Sequence, residues 1–136
     1  MNSKLLFSLG ICVALATTAA TSRNHPPVKN PIGHPSDAIF NFIHAHRQGK
    51  GCTVDWNSNA SSNMVVCFDV IRTYEDPMDP SSQWTPVGNS PCNNSKSYKM
   101  TEDDVSAGFI SYRVIATMVG GGYVLSDVET VHIVQH

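Results

Sequence analysis

The chain of 136 residues has few charged side chains, which make up 15% of it, and it contains no cluster of basic residues. Nine lysines and arginines against eleven aspartates and glutamates give a formal net charge of −2. Nucleic acids and anionic membrane surfaces attract proteins through basic patches. The composition therefore predicts that the chain binds neither nucleic acid nor an anionic membrane.

Catalytic sequence motifs are also missing. The sequence has no G-x-S-x-G nucleophile elbow, no H-E-x-x-H zinc motif and no phosphate-binding loop of the Walker type. Residues 120–122 are three consecutive glycines, but they lie between two predicted strands, where glycine supplies the positive φ of a hairpin turn. These absences predict a protein that is not an enzyme and that uses no cofactor.

Long apolar segments are absent except at the amino terminus. Residues 5–16 form an apolar run that follows Lys4 and precedes the small residues 17–20, which is the pattern of a secretory signal peptide cleaved after Ala20. A span of the bilayer needs about 20 apolar residues, so this run is too short for one. We therefore predict a signal peptide over 1–20, no membrane insertion after its cleavage, and a secreted location, extracellular or periplasmic.

Residues 21–37 contain four prolines and show no apolar periodicity. Proline lacks a backbone donor, so this segment cannot join a regular hydrogen-bond ladder. We interpret it as a proline-rich extended linker. The remaining residues, 38–136, have the length of one domain with a single core.

From residue 38 onward, apolar residues recur mainly at every second position, between stretches rich in Asn, Ser, Gly, Pro and Asp. This period indicates strands joined by turns. The predicted strands are 39–46, 52–56, 64–74, 83–87, 97–100, 108–119 and 123–134. About seven short strands in a domain of this size indicate an all-β sandwich of two sheets. Alternation places the following residues in its core: Trp56, Phe68, Val70, Tyr112 and Val114.

Four segments resemble strands of a fibronectin type III domain. Val54-Asp55-Trp56 is similar to strand B, in which a core tryptophan follows a valine by two positions. Phe68-x-Val70-x-Arg72 is similar to strand C, residues 112–116 to strand F, and residues 128–133 to strand G. The resemblance implies a fibronectin type III-like sandwich.

This resemblance extends over residues 39–134, with two departures. The leucine expected ahead of strand F has only Val105 as a rough counterpart. The family usually places a corner tyrosine four residues before the strand F valine, and Ile110 occupies that position here, while Tyr112 matches a second aromatic position. A general immunoglobulin-like sandwich is therefore the alternative fold.

Three cysteines follow the predicted signal peptide, namely Cys52, Cys67 and Cys92, an odd number for a compartment that favours disulfides. Alternation places Cys52 in the core and Cys67 on the outer face. The pairing of strands C and C′ that the resemblance implies brings Cys67 close to the residues before Cys92. A disulfide between Cys67 and Cys92 is therefore predicted.

Candidate metal ligands are sparse. His44 and His46 lie two residues apart, so both would face the same side of a strand, with His132 as a third histidine on the last strand. The acidic residues of loop 75–79 offer oxygen atoms of the kind that Ca²⁺ prefers. No spacing fixes a third ligand, and the acidic loop lacks the glycine and alternation of a calcium loop. Solvated histidines and a simple turn are the preferred interpretation, so no metal site is predicted.

Two segments, Asn59-Ala60-Ser61 and Asn93-Asn94-Ser95, fit the acceptor pattern for N-glycosylation. Both fall in predicted surface loops.

The leading functional hypothesis is a secreted, non-catalytic module that binds an extracellular protein or a polysaccharide, or that serves as a structural or adhesive unit. A second hypothesis is a small secreted metal-dependent protein or enzyme that uses His44, His46 and the acidic loop 75–79. A third is a structural piece of a larger envelope assembly, for which self-association at an exposed strand would be the sign.

Overall fold

The computed structural model describes residues 39–135, which form eight β-strands. The predicted signal peptide 1–20 and linker 21–37 lie outside the described residues. Among the residues that are described, no helix has the length and hydrophobicity to cross a membrane. The strands are β1 Phe40–Gln48, β2 Gly51–Ser58, β3 Val65–Thr73, β4 Thr85–Pro91, β5 Ser97–Glu102, β6 Gly108–Met118, β7 Tyr123–Leu125 and β8 Glu129–Ile133.

Two antiparallel sheets form a sandwich. The three-stranded sheet has the order β1-β2-β5, and the five-stranded sheet has the order β4-β3-β6, with β7 and β8 both paired to β6. At one lateral edge of the sandwich β1 lies against β8 of the other sheet. The all-β sandwich of two sheets expected from the sequence is confirmed, with eight strands in place of about seven.

The additional strand arises because the predicted strand 123–134 is interrupted at Ser126. The Ser126 amide donates to the carbonyl of Val114 at 2.8 Å, but the Val114 amide donates to the Ser126 hydroxyl, also at 2.8 Å. That hydroxyl in turn donates to the carbonyl of Asp127 at 2.7 Å. A side-chain oxygen thus replaces a backbone acceptor in the ladder, and the strand divides into β7 and β8.

Aromatic side chains join the two sheets at the centre of the core. Trp56 on β2 stacks on Tyr98 of β5, with ring centroids 5.4 Å apart and an interplanar angle of 9°. Phe68 on β3 meets the Trp56 ring edge-on at 5.8 Å and the Tyr98 ring at 4.8 Å. The five residues assigned to the core from the sequence are each at most 1% exposed: Trp56, Phe68, Val70, Tyr112 and Val114.

The predicted disulfide between Cys67 and Cys92 is wrong. Cys92 is a free cysteine, and its sulfur lies in the core, 3.7 Å from the Tyr98 hydroxyl. Cys67 lies on the opposite face of β3, with its sulfur 4.0 Å from Oδ2 of Asp69. The strand pairing does place Cys67 opposite Pro91, as the prediction required. The chain after Pro91 turns inward instead of curling over the outer face, so the two sulfurs lie on different sides of the sheet.

Replacing Trp56 with alanine should lower the free energy of unfolding by about 3–5 kcal/mol. The side chain is 1% exposed, and its removal leaves a void between two sheets that cannot close around it. Chemical denaturation followed by circular dichroism measures the change. Met78→Ala is the control, because Met78 is 81% exposed, and we expect it to shift stability by less than about 0.5 kcal/mol. Equal midpoints for the two variants would contradict the central position of Trp56.

Cys52 should resist alkylation in the folded protein. The residue is fully buried, and burial raises the pKa of its thiol, to which the negative charge of Glu102 adds. Because the thiolate is the reactive form, we expect iodoacetamide at pH 8 to label Cys52 at least about tenfold more slowly in the native protein than in denaturant. Mass spectrometry of the Cys52 peptide gives both rates. Similar rates in the two conditions would show that the reagent reaches Cys52 in the folded protein.

Candidate functional site

The outer face of the three-stranded sheet carries nine side chains in three rows. Alternate residues of the same strands, such as Ile43, Val54 and Tyr98, are buried in the core. Because successive side chains on a strand point to opposite faces, the intervening residues point outward. We call this surface the β1-β2-β5 face, and cross-strand pairing arranges its rows as Phe42, Asn57 and Ser97; His44, Asp55 and Lys99; and His46, Thr53 and Thr101.

The first row combines an aromatic ring with amide groups. Phe42 is 52% exposed, and a bulge in β1 inserts Asn41 beside it. The Asn41 amide nitrogen is hydrogen-bonded to Oδ1 of Asn57 and, at 3.0 Å, to Oδ1 of Asn59. The Asn57 amide nitrogen is 3.4 Å from the Ser97 hydroxyl. Each amide has two donor hydrogens and an oxygen with two lone pairs, so this chain of side chains retains hydrogen-bonding capacity toward solvent.

The second and third rows bring two imidazoles together. The rings of His44 and His46 stack, with centroids 5.5 Å apart and an interplanar angle of 23°. Nδ1 of His44 lies 3.9 Å from Oε2 of Glu129, and Nδ1 of His46 lies 3.5 Å from Oδ2 of Asp55. Because Nδ1 of each ring faces a carboxylate, Nε2 is the ring nitrogen that has no carboxylate partner among these contacts.

The structure does not bring the acidic loop 75–79 to these histidines. Its three carboxylates accept hydrogen bonds of 2.7–2.9 Å from backbone amides of the same β3–β4 connection. His132 stacks on Phe109 at 4.3 Å, on the outer face of the other sheet. Within residues 39–135, no group of three His, Cys, Asp or Glu side chains has the arrangement needed to hold a metal ion.

A cluster of ionisable side chains lies between the sheets. Nε of Arg72 donates to Oε1 of Glu102 at 2.6 Å, and the Tyr112 hydroxyl donates to Oε2 of the same carboxylate at 3.0 Å. The Cys52 thiol lies beside Tyr112. Burial raises the pKa of the Tyr112 hydroxyl, and the charges of Cys52 and Glu102 raise it further. Thiol and phenol stay protonated at neutral pH, and the hydrogen bonds of Glu102 with Arg72 and Tyr112 join the two sheets.

Sequence reasoning missed this cluster because its members are far apart in the chain and share no spacing. Arg72 was recognised only as a strand residue of the fibronectin type III resemblance, Tyr112 was also predicted as a core residue, and Glu102 received no role. Only the pairing of β3 with β6, and of β2 with β5, brings their side chains together.

A cleft of about 330 Å³ opens at the end of the sandwich where β1 turns into β2. Arg47, Lys50 and Asp104 supply its ionisable lining. Arg47 donates from Nε to the carbonyl of Gly49 at 3.0 Å and from Nη1 to the carbonyl of Val134 at 3.1 Å. These bonds fasten the residue after β8 to β1, so Arg47 has a structural role in the cleft.

Both predicted glycosylation sites are on exposed loops. Asn59 borders the β1-β2-β5 face through its hydrogen bond with Asn41. Asn93 lies outside that face, and its Oδ1 accepts a hydrogen bond of 3.1 Å from the amide of Ser95. Modification of either asparagine stays a prediction.

No protein-family model and no curated protein sequence matches this chain. Solved structures do match it. Pectate lyase PelI from Erwinia chrysanthemi, in complex with tetragalacturonic acid, is 16% identical with a TM-score of 0.51, over 65% of this chain and 27% of that one. Pectate lyase Pel3 from Pectobacterium carotovorum is 12% identical with a TM-score of 0.49, over 68% and 26%. An LPMO from Kitasatospora papulosa is 14% identical with a TM-score of 0.43, over 100% and 88%.

The PelI match shows a shared β-sandwich fold, and this chain spans only a minor part of the length of either pectate lyase. The comparisons also correct one prediction. The chain was predicted not to be an enzyme. The solved structures that match it include enzymes, so this prediction is not supported. Missing motifs are weak evidence against catalysis here, because strand pairing can assemble a site from residues that have no fixed spacing in the sequence.

Glu102→Gln should lower the free energy of unfolding by about 2 kcal/mol, because the partly buried Arg72 guanidinium loses its carboxylate partner. Thermal or chemical denaturation at pH 7 measures the loss. Asp103→Asn removes a negative charge from the adjacent exposed residue and serves as the control, with an expected change below about 0.5 kcal/mol. A loss of the same size in both variants would indicate a general charge effect in place of the ion pair.

Proposed function

We propose that this chain is an extracellular β-sandwich module of the fibronectin type III kind that binds a polysaccharide on the β1-β2-β5 face. The observation that carries the proposal is the set of groups in the first row: an exposed phenylalanine ring beside a hydrogen-bonded chain of amides. A sugar ring presents an apolar C–H face that is bordered by hydroxyl groups. A ring to stack on, with amide donors and acceptors around it, is complementary to both parts of a sugar.

The dimensions of the face favour a polymer. Neighbouring strands are about 4.8 Å apart, so a row spans roughly 10 Å, and Phe42 and His46 are separated by roughly 13 Å along β1. The surface is built from side chains on three paired strands, whereas small ligands bury most of their surface in concave sites. A polysaccharide lying across the sheet contacts several rows at once and does not need a pocket.

Three further observations support the proposal. The predicted signal peptide 1–20 places the chain outside the cytoplasm, where polysaccharides are abundant. The strands that resemble B, C, F and G of fibronectin type III domains occur in a two-sheet sandwich. Solved structures with a related fold include pectate lyases, one of them with tetragalacturonic acid, which guides the choice of probe.

Phe42→Ala should weaken polysaccharide binding about five- to tenfold, which is the effect expected when one stacking ring is removed. Affinity electrophoresis in gels that contain polygalacturonate, and pull-down with insoluble cellulose, measure binding of the purified protein. The wild-type protein should be retarded or retained by at least one of these polymers. A folded wild-type protein that binds neither polymer would overturn the proposal.

Phe109→Ala is the matched control. Phe109 is also an exposed phenylalanine, 64% accessible and stacked on His132, but it lies on the outer face of the five-stranded sheet. We expect it to bind like the wild type. A greater loss in Phe109→Ala than in Phe42→Ala would place the ligand on the other sheet and contradict the assignment of the β1-β2-β5 face.

A further inference from the structure

The charges around His44 and His46 bear on the kind of polysaccharide that the β1-β2-β5 face takes, an inference that rests on the proposed function. His44 faces Glu129 at the start of β8 and is paired across the strands with Asp55 of β2. His46 faces Asp55, and Lys99 of β5 lies beyond Asp55 in the second row. Arg47 follows on β1, but its guanidinium is directed to backbone carbonyls at the end of the sandwich.

Protonation of the two imidazoles reverses the charge of this surface. With both rings neutral, two carboxylates and one ammonium give the group a net charge of −1; two added protons bring it to +1. Among protein side chains, histidine is the type whose charge ordinarily changes between pH 5 and 8.

Protonation also changes which hydrogen bonds the outward nitrogens make. In a neutral imidazole, a nearby carboxylate favours the hydrogen on the nitrogen that faces it, which is Nδ1 in both rings. Nε2 is then an acceptor. In the imidazolium both nitrogens are donors. Protonation therefore converts the two Nε2 acceptors, on rings whose centroids are 5.5 Å apart, into two charged donors.

We propose that the β1-β2-β5 face binds a polysaccharide that carries carboxylate groups, and that it does so through the protonated His44 and His46 pair. A uronate carboxylate accepts hydrogen bonds from Nε2 of the two imidazoliums while a sugar ring stacks on Phe42. The two positive charges repel one another, and the carboxylates of Asp55, Glu129 and the ligand offset that repulsion. Ligand binding and proton uptake are therefore coupled.

The test compares two forms of one polymer. Polygalacturonate, whose carboxylates stay ionised at both pH values, should bind the purified protein about tenfold more tightly at pH 5.5 than at pH 8.0. Its fully methyl-esterified form, which has no carboxylates, should bind equally at the two pH values through the first row. High salt should reduce the difference seen with polygalacturonate, because exposed charge pairs are screened.

The His44→Gln, His46→Gln double variant should bring the ratio of the two polygalacturonate affinities close to one. His132→Gln, which removes an imidazole from the other sheet, should keep the wild-type ratio. An equal wild-type affinity for polygalacturonate at both pH values, or a pH dependence that survives in the double variant, would overturn the inference. Binding of the esterified polymer alone would also overturn it while leaving the proposed function standing. Absence of binding by either polymer at either pH would refute the inference, and absence of binding to cellulose as well would refute the proposed function.

Discussion

The packing of Trp56 against Tyr98 and Phe68 is the constraint on which both faces of the three-stranded sheet depend. Successive side chains on a strand point to opposite faces, so burial of Trp56 directs Asp55 and Asn57 outward. The cross-strand register then determines which residues of β1 and β5 lie beside them on the outer face. A slip of one residue would exchange the core set for the outer set. The aromatic contact thus determines the composition of the proposed binding surface, although none of its three rings reaches that surface.

Polar side chains in this protein fall into two kinds. In the interior cluster, Glu102 is satisfied by Arg72 and Tyr112, and burial keeps the neighbouring thiol and phenol protonated. Such a closed set stabilises the contact between the sheets. On the β1-β2-β5 face, the chain of amides beside Phe42 lies at the surface, the side chain of His44 is exposed, and that of His46 is partly exposed. The β1-β2-β5 face therefore differs from the interior cluster less in the types of polar residue than in how many of their donors and acceptors remain unused.

The correction concerning catalysis has the same physical origin as the missed ion-pair cluster. In a β-sandwich, functional residues are neighbours across strands, and their separation in the sequence depends on loop lengths that have nothing to do with chemistry. A search for motifs detects sites whose residues lie in one turn or one helix, so it had little power here. The match to PelI, which is an enzyme, covers a minor part of that protein and shows a shared fold.

The sequence by itself determined the strands, the sandwich and the core aromatics, because period-two alternation and turn residues are local signals. It did not reveal the division of the last strand at Ser126, where a hydroxyl replaces a backbone acceptor. Nor did it reveal the inward turn of Cys92 or the chain of amides beside Phe42. Only the tertiary structure decided these features, because each depends on the register and direction of segments that are distant in the chain. The alternation of apolar residues along a strand predicts which side chains share a face, but it does not predict which residues of other segments they contact.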